Sequence, residues 1–167
     1  MNKAIIAEKQ AVINEISEAI KASKSVSIVE YRGLTVAQLE SLRRDLRKEG
    51  CEMKVYKNTL FNIAASELGY GDLKAHLEGP NAFVFSNNDE VAAPKLLVKF
   101  AKRNDEMVLK GGIVSGKVID SNELKVVSTL PNKEGMLSML LSCLTSPVRG
   151  FACAVKAVAD KMGEAQN

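Results

Sequence analysis

Across residues 31–60 the hydrophobic and polar positions switch from one period to another, and the remaining chain is arranged around that stretch. Val36, Leu39, Leu42 and Leu46 recur at steps of three and four, which predicts an amphipathic helix. Thr35 with Gln38 three residues later has the spacing of a capping box, and Leu34 with Leu39 that of a hydrophobic staple. Gly50 stands where such a helix would stop. Beyond it, Cys51, Met53 and Val55 alternate with Glu52, Lys54 and Tyr56, as in a strand with one buried face. Asn58 reads as the cap of a second helix that turns Leu60, Ile63 and Ala64 inward. With a strand at residues 26–31 ahead of it, the unit is strand–helix–strand–helix.

The flanking segments extend this pattern. Residues 3–22 read as a helix buried through Ile6, Ile13, Ile16 and Ile20. A short helical piece at 73–77 ends at Gly79-Pro80, and residues 82–85 form a compact apolar strand. A helix with Pro94 in its first turn runs to Arg103. Short strands at 107–109 and 113–119 are separated by glycines, and Asp120 caps a helix ending at Thr129. Strands alternating with helices predict an α/β fold over residues 1–130: a plait-like two-layer sandwich with a mixed sheet.

From Pro131 the pattern changes, and residues 131–167 read as a helical appendage. Asn132 caps a helix through Met136, Leu137, Met139, Leu140, Leu141 and Leu144, which Ser146-Pro147 breaks. Pro147 suits the first turn of another helix, in which Val148, Phe151, Val155, Val158 and Met162 follow steps of three, four, three and four. Ala152, Ala154, Ala157 and Ala159 keep the flanks thin. Such a seam either folds back on its own domain or projects as a docking rail for a partner's helices, made of Val148, Phe151, Ala152, Val155, Val158, Ala159 and Met162.

Charge locates a second kind of surface. The net charge of +3 is mild, but residues 1–60 hold eleven basic and eight acidic side chains, whereas residues 61–167 hold twelve of each. The whole surplus therefore lies in the first third, which fits local anchoring on a polyanion better than nonspecific coating. Arg32-Gly33 falls at one strand exit, and Lys57-Asn58-Thr59 at another that leads into a helix N-terminus. The unpaired N–H groups there, with Lys57 beside them, suit a phosphate. Arg43, Arg44 and Arg47 are either further anchors or solvated surface.

Catalytic and metal chemistry find little support. Cys51, Cys143 and Cys153 are too scattered for a zinc site or a disulfide framework and read as reduced thiols. His76 is the only histidine and has no carboxylate or cysteine at useful sequence spacing. Residues 111–117, GGIVSGK, satisfy the first seven positions of a phosphate-loop motif, but Val118 replaces the hydroxyl that would hold Mg²⁺. Val118, Ile119 and Asp120 read as strand, where that loop needs a helix. No cofactor, metal or enzymatic role is expected. No apolar run approaching the ~20 residues of a membrane span is expected either, nor a signal peptide at the charged start.

YRGLTVAQLESLRRDLR followed by KVYKNTL resembles the signature of the bacterial ribosomal stalk-base family, the tenth protein of the large subunit. The resemblance continues through NAFVF and KGGIVSGKVID and covers essentially the whole chain. It implies an amino-terminal domain that clamps a helix of large-subunit rRNA, with the eleventh large-subunit protein as neighbour. It also implies a carboxy-terminal helix that carries dimers of the acidic stalk protein, two more readily than three, which recruit translational GTPases. A cytoplasmic, ribosome-bound location and feedback binding to its own mRNA belong to the same picture. Joined to the charge pattern, it makes Arg32, Gly33, Lys54, Lys57, Asn58 and Thr59 the rRNA anchors. The competing reading is a protein–protein adaptor with no RNA role.

Overall fold

A computed structural model describes residues 3–104 and 106–164. The chain divides into two units, Met1–Leu130 and Pro131–Asn167.

The first unit runs α1 (Lys3–Ala22), β1 (Ser25–Glu30), α2 (Val36–Lys48), β2 (Cys51–Lys54) and α3 (Asn58–Glu67). A 3-10 turn (Gly71–His76) leads to β3 (Asn81–Ser86), α4 (Ala92–Ala101), β4 (Val108–Val114), β5 (Lys117–Asp120) and α5 (Ser121–Thr129). The α2 start is capped as its spacing requires: Thr35 Oγ1 accepts from the Gln38 N–H at 3.4 Å, and Gln38 Oε1 accepts from the Thr35 N–H at 2.8 Å. Gln38 Nε2 also donates to Asn104 Oδ1 at 2.8 Å, tying α2 to the end of α4.

The five strands form one sheet in the order β2-β3-β1-β4-β5. The α/β class holds, but two details differ from expectation. The sheet is not mixed, because all four strand pairings are antiparallel. β1 and β2 do point the same way across the α2 crossover, yet β3 inserts between them, so the parallel neighbours are split apart. Nor are there only two layers. Ile13, Ile16 and Ile20 of α1 and Phe61, Ala64 and Ala65 of α3 pack with Val26, Ile28, Phe83 and Phe85. Leu42 and Leu46 of α2, Ala93 and Leu97 of α4 and Leu124 of α5 pack with Val29, Ala82 and Val84. Alternate residues of β1 and β3 thus serve two cores, and every residue of β3 is buried, as in a strand covered on both faces.

β4 is a single strand that continues through Gly111 and Gly112, where a break was expected. A Cβ at Gly112 would lie 2.2 Å from the Val26 carbonyl oxygen, so glycine here permits strand approach. The register with β1 skips Lys110, a one-residue bulge between the pairs Ile28–Gly111 and Val29–Leu109. GGIVSGK is the β4–β5 hairpin, with Ser115 and Gly116 at φ 51° and 77° in its turn. Lys117 opens a strand and not a helix, so the segment has none of the geometry of a phosphate loop.

The second unit is one helix, α6 (Lys133–Glu164), with Pro147 inside it. The expected break at Ser146-Pro147 does not occur. Proline removes one hydrogen-bond donor and crowds the preceding turn, but in a helix of 32 residues that loss stays local.

Candidate nucleic-acid interface and docking helix

The sheet register brings the two basic strand exits to one end of the first unit. Glu30, the last residue of β1, pairs with Asn81, the first of β3, and Lys54, the last of β2, pairs with Phe83. Arg32-Gly33 and Lys57-Asn58-Thr59 therefore leave the same sheet end, two inter-strand spacings or about 10 Å apart. Arg32, Gly33, Lys57 and Thr59 are exposed. Gly33 adopts φ 95°, and a Cβ there would press to 3.2 Å from Glu106 Oε2, so the turn after β1 requires glycine.

Two of the expected anchors are already engaged. Asn58 is not the cap of α3: Lys57 occupies that position, its carbonyl accepting from the Leu60 and Phe61 N–H groups. The Asn58 amide instead donates to the carbonyls of Leu77 and Gly79, each at 2.8 Å, and so fixes the loop before β3. Lys54 Nζ lies 3.1 Å from Glu15 Oε1 and 3.9 Å from Glu52 Oε2. Tyr56 donates its hydroxyl to the same Glu15 oxygen at 2.8 Å. These bonds from Tyr56 and Lys54 hold the Glu15 carboxyl below its ordinary range, and the bond to Glu15 raises the Lys54 ammonium. Much of the Lys54 charge is thus matched within the protein. Among the described residues, no carboxylate forms an ion pair with Arg32, Arg43, Arg44, Arg47 or Lys57.

Two residues absent from the sequence-based assignment brace this sheet end. The bulged Lys110 forms a half-buried ion pair with Glu30 at 2.7 Å and also donates to the Glu78 carbonyl. They stand far apart in sequence, so no local pattern announces the pair. His76, expected to lack an acidic partner, places Nε2 3.0 Å from Asp120 Oδ1, another contact that local spacing hides. Cys51 is buried with its sulfur 3.4 Å from Ser86 Oγ, and burial pushes its thiol pKa up, which suits an inert structural cysteine. Among the described residues no cluster of three or more metal-ligating side chains occurs.

In α6 the expected docking residues Val148, Phe151, Ala152, Val155, Val158 and Ala159 are all exposed, Val148 and Phe151 at 73% each. The Met162 side chain lies outside the described residues. Because the helix continues through Pro147, the seam is longer than the sequence reading made it. Leu137, Leu141 and Leu144, all exposed, join Val148, Phe151, Val155 and Val158 at alternating steps of four and three. The signal was present in the sequence, but treating Pro147 as a break split it. By length and composition Lys133–Lys161 is also long and apolar enough to cross a membrane, contrary to the expected absence of such a run. Within it Arg149, Lys156 and Asp160 recur at seven and four, on the helix face away from the seam.

The first unit presents an open basic sheet end and the second an uncovered apolar seam, two surfaces suited to attachment. Comparison with known proteins gives the family. Residues 4–102 match the model for ribosomal protein L10, and residues 130–166 match that for the ribosomal protein uL10 C-terminal region. The chain is 48% identical over 160 residues to the large ribosomal subunit protein uL10 of Bacillus cereus (strain B4264), covering 96% of both chains. It is equally similar to that of Bacillus anthracis (strain CDC 684 / NRRL 3495). The chain belongs to the ribosomal protein L10 (uL10) family. It is a structural constituent of the large ribosomal subunit, not an enzyme, and is ribosome-bound in the bacterial cytoplasm.

Proposed function

We propose that this chain forms the base of the ribosomal stalk, with one attachment surface on each unit. Arg32 and Lys57 at the sheet end hold phosphates of large-subunit rRNA, with Gly33 and Thr59 offering backbone and hydroxyl contacts. Lys54 and Asn58 support that end mainly through Glu15 and the 77–80 loop. The neighbouring eleventh protein sits beside this clamp, and the same basic end serves any feedback binding to the chain's own mRNA. α6 carries dimers of the acidic stalk protein, which in turn recruit translational GTPases.

The observation that carries this reading is the unbroken, exposed apolar seam from Leu137 to Val158. At 1.5 Å per residue it extends roughly 30 Å, room for two helical dimers in succession. One would lie on the Leu137–Leu144 half and one on the Val148–Val158 half. Native mass spectrometry of the chain coexpressed with its host's acidic stalk protein tests this. One chain with four small subunits is expected, falling to two when residues 147–167 are removed and to none when residues 131–167 are removed. A bare monomer of the full chain would overturn the docking role. For the RNA half, Arg32→Ala with Lys57→Ala should weaken rRNA binding at least tenfold, and unchanged affinity and salt dependence would remove the clamp assignment.

A further inference from the structure

We infer that the furrow between α2 and the edge strand β2 is a second phosphate-binding surface, on which Arg43 and Arg47 hold the backbone of a structured RNA. The inference rests on the RNA-binding reading above and adds a surface to it. Arg43 and Arg47 stand four residues apart on α2, hence on one helix face, and both are exposed. With Glu52, Met53 and Lys54 they line a furrow of about 330 Å³. A second hollow of about 520 Å³ is lined by the same two arginines with Glu40, Arg44 and Lys48.

Two of the carboxylates in this region face lysines, while Glu40, which lines the second hollow, and Glu49 enter no ion pair among the described residues. Asp45 is held by Lys48 at 2.9 Å, and Glu52 lies 3.9 Å from Lys54. Arg43 and Arg47 enter no ion pair among the described residues, which leaves their planar forks of donors open, the geometry that suits phosphate. β2 has a neighbour on one side only, so the backbone groups of its outer edge remain unpaired by strand. Met53 is the one apolar side chain lining the furrow, which argues for a polyanion and against a protein helix.

The furrow is also continuous with the sheet end. The connection from α2 to β2 is short, so the helix runs back along the strand and brings its arginines toward Lys54 and, beyond it, Lys57. RNA held at the sheet end would reach the furrow by following one edge of the molecule.

The test is filter binding of the full chain to an in vitro transcript of the host's large-subunit rRNA across a salt series. Arg43→Gln with Arg47→Gln removes two charges from the furrow; glutamine retains helix propensity, and circular dichroism checks that α2 survives. Lys9→Gln with Lys21→Gln removes two exposed charges from α1, on the opposite helical layer. The furrow variant should bind at least fivefold more weakly, with the log–log salt slope reduced by about 1.5. The α1 variant should stay within twofold of wild type. Arg43→Lys with Arg47→Lys keeps the charge but not the planar fork, so it should restore the salt slope and only part of the affinity. If the furrow variant is unchanged while Arg32→Ala with Lys57→Ala weakens binding, the inference fails and the clamp stands. If the α1 variant weakens binding equally, the effect is net charge and the inference fails. If no variant weakens binding, the RNA reading falls and takes this inference with it.

Discussion

The two units of the chain satisfy opposite conditions. In the first, both sheet faces are roofed, and Phe83 is fully buried against Phe61, with ring centroids 3.8 Å apart. In the second, Phe151 is 73% exposed, on a seam whose other large side chains are also open. An apolar side chain costs stability when left in water and contributes roughly 1.5–3 kcal/mol when covered. The difference teaches that apolar pattern alone does not distinguish core from interface. The same three-and-four spacing closes a domain where a sheet faces it and stands open along α6.

A pair of substitutions would break this comparison most sharply. Phe83→Ala should lower the chain's unfolding free energy by about 3–5 kcal/mol, through lost burial and the cavity left behind. Phe151→Ala should shift it by no more than about 0.5 kcal/mol, while weakening capture of the acidic dimers at least tenfold. Denaturant melts and a pull-down on the same two proteins decide the matter. Similar destabilisation by both would mean that the seam is already covered within the chain.

Pro147 sharpens the contrast inside the second unit. Pro147→Ala restores a backbone donor four residues after Cys143 and should favour the local helix by up to about 3 kcal/mol. Slower amide exchange around residues 143–151 is expected, with no change in the melting of the first unit. Exchange that stays as fast as in the wild type would show that proline is not what limits α6.

Asn58 probes the first unit through a polar side chain whose amide nitrogen is engaged by two carbonyls. Asn58→Ala removes both donors to Leu77 and Gly79 and should cost about 2 kcal/mol, more than an exposed interface residue would. A variant of wild-type stability that has lost rRNA affinity would make Asn58 a direct contact and not a brace.

These cases also mark how far the sequence could be read. The α2 capping box, the Asp120 start of α5 and the Ser-Gly hairpin turn were legible because each depends on neighbours within four residues. The basic strand exits were legible as turn chemistry, though their convergence at one sheet end depends on β3 inserting between β1 and β2. The engagement of Lys54 by Glu15 spans 39 residues, and that of Lys110 by Glu30 joins adjacent strands across a bulge. No local period encodes such pairs. Pro147 misled for a different reason: its rule describes the cost of one turn, and a long helix absorbs that cost.

The smallest expected effect concerns the surface cluster of Glu15, Lys54 and Tyr56, which joins α1 to the edge of the sheet. The folded protein holds Glu15 below its ordinary range, so the cluster stabilises above the ordinary glutamate value of about 4.3 and fades as pH falls through the depressed one. Lys54 and Tyr56 are both raised, so the same stability is present below their ordinary values, about 10, and fades as pH rises through the raised ones. Because Glu15 is exposed and Lys54 and Tyr56 are only partly covered, the plateau between these edges should be worth only about 0.5 kcal/mol. Comparing melts of the wild type and Glu15→Gln at several pH values isolates it. The gap should be present at pH 7, shrink below about pH 4 and shrink again above about pH 10. A gap that stayed constant down to strongly acidic pH would mean that Glu15 acts through packing of its methylene groups, placing this contact with the covered apolar side chains of the first unit and not with its charges.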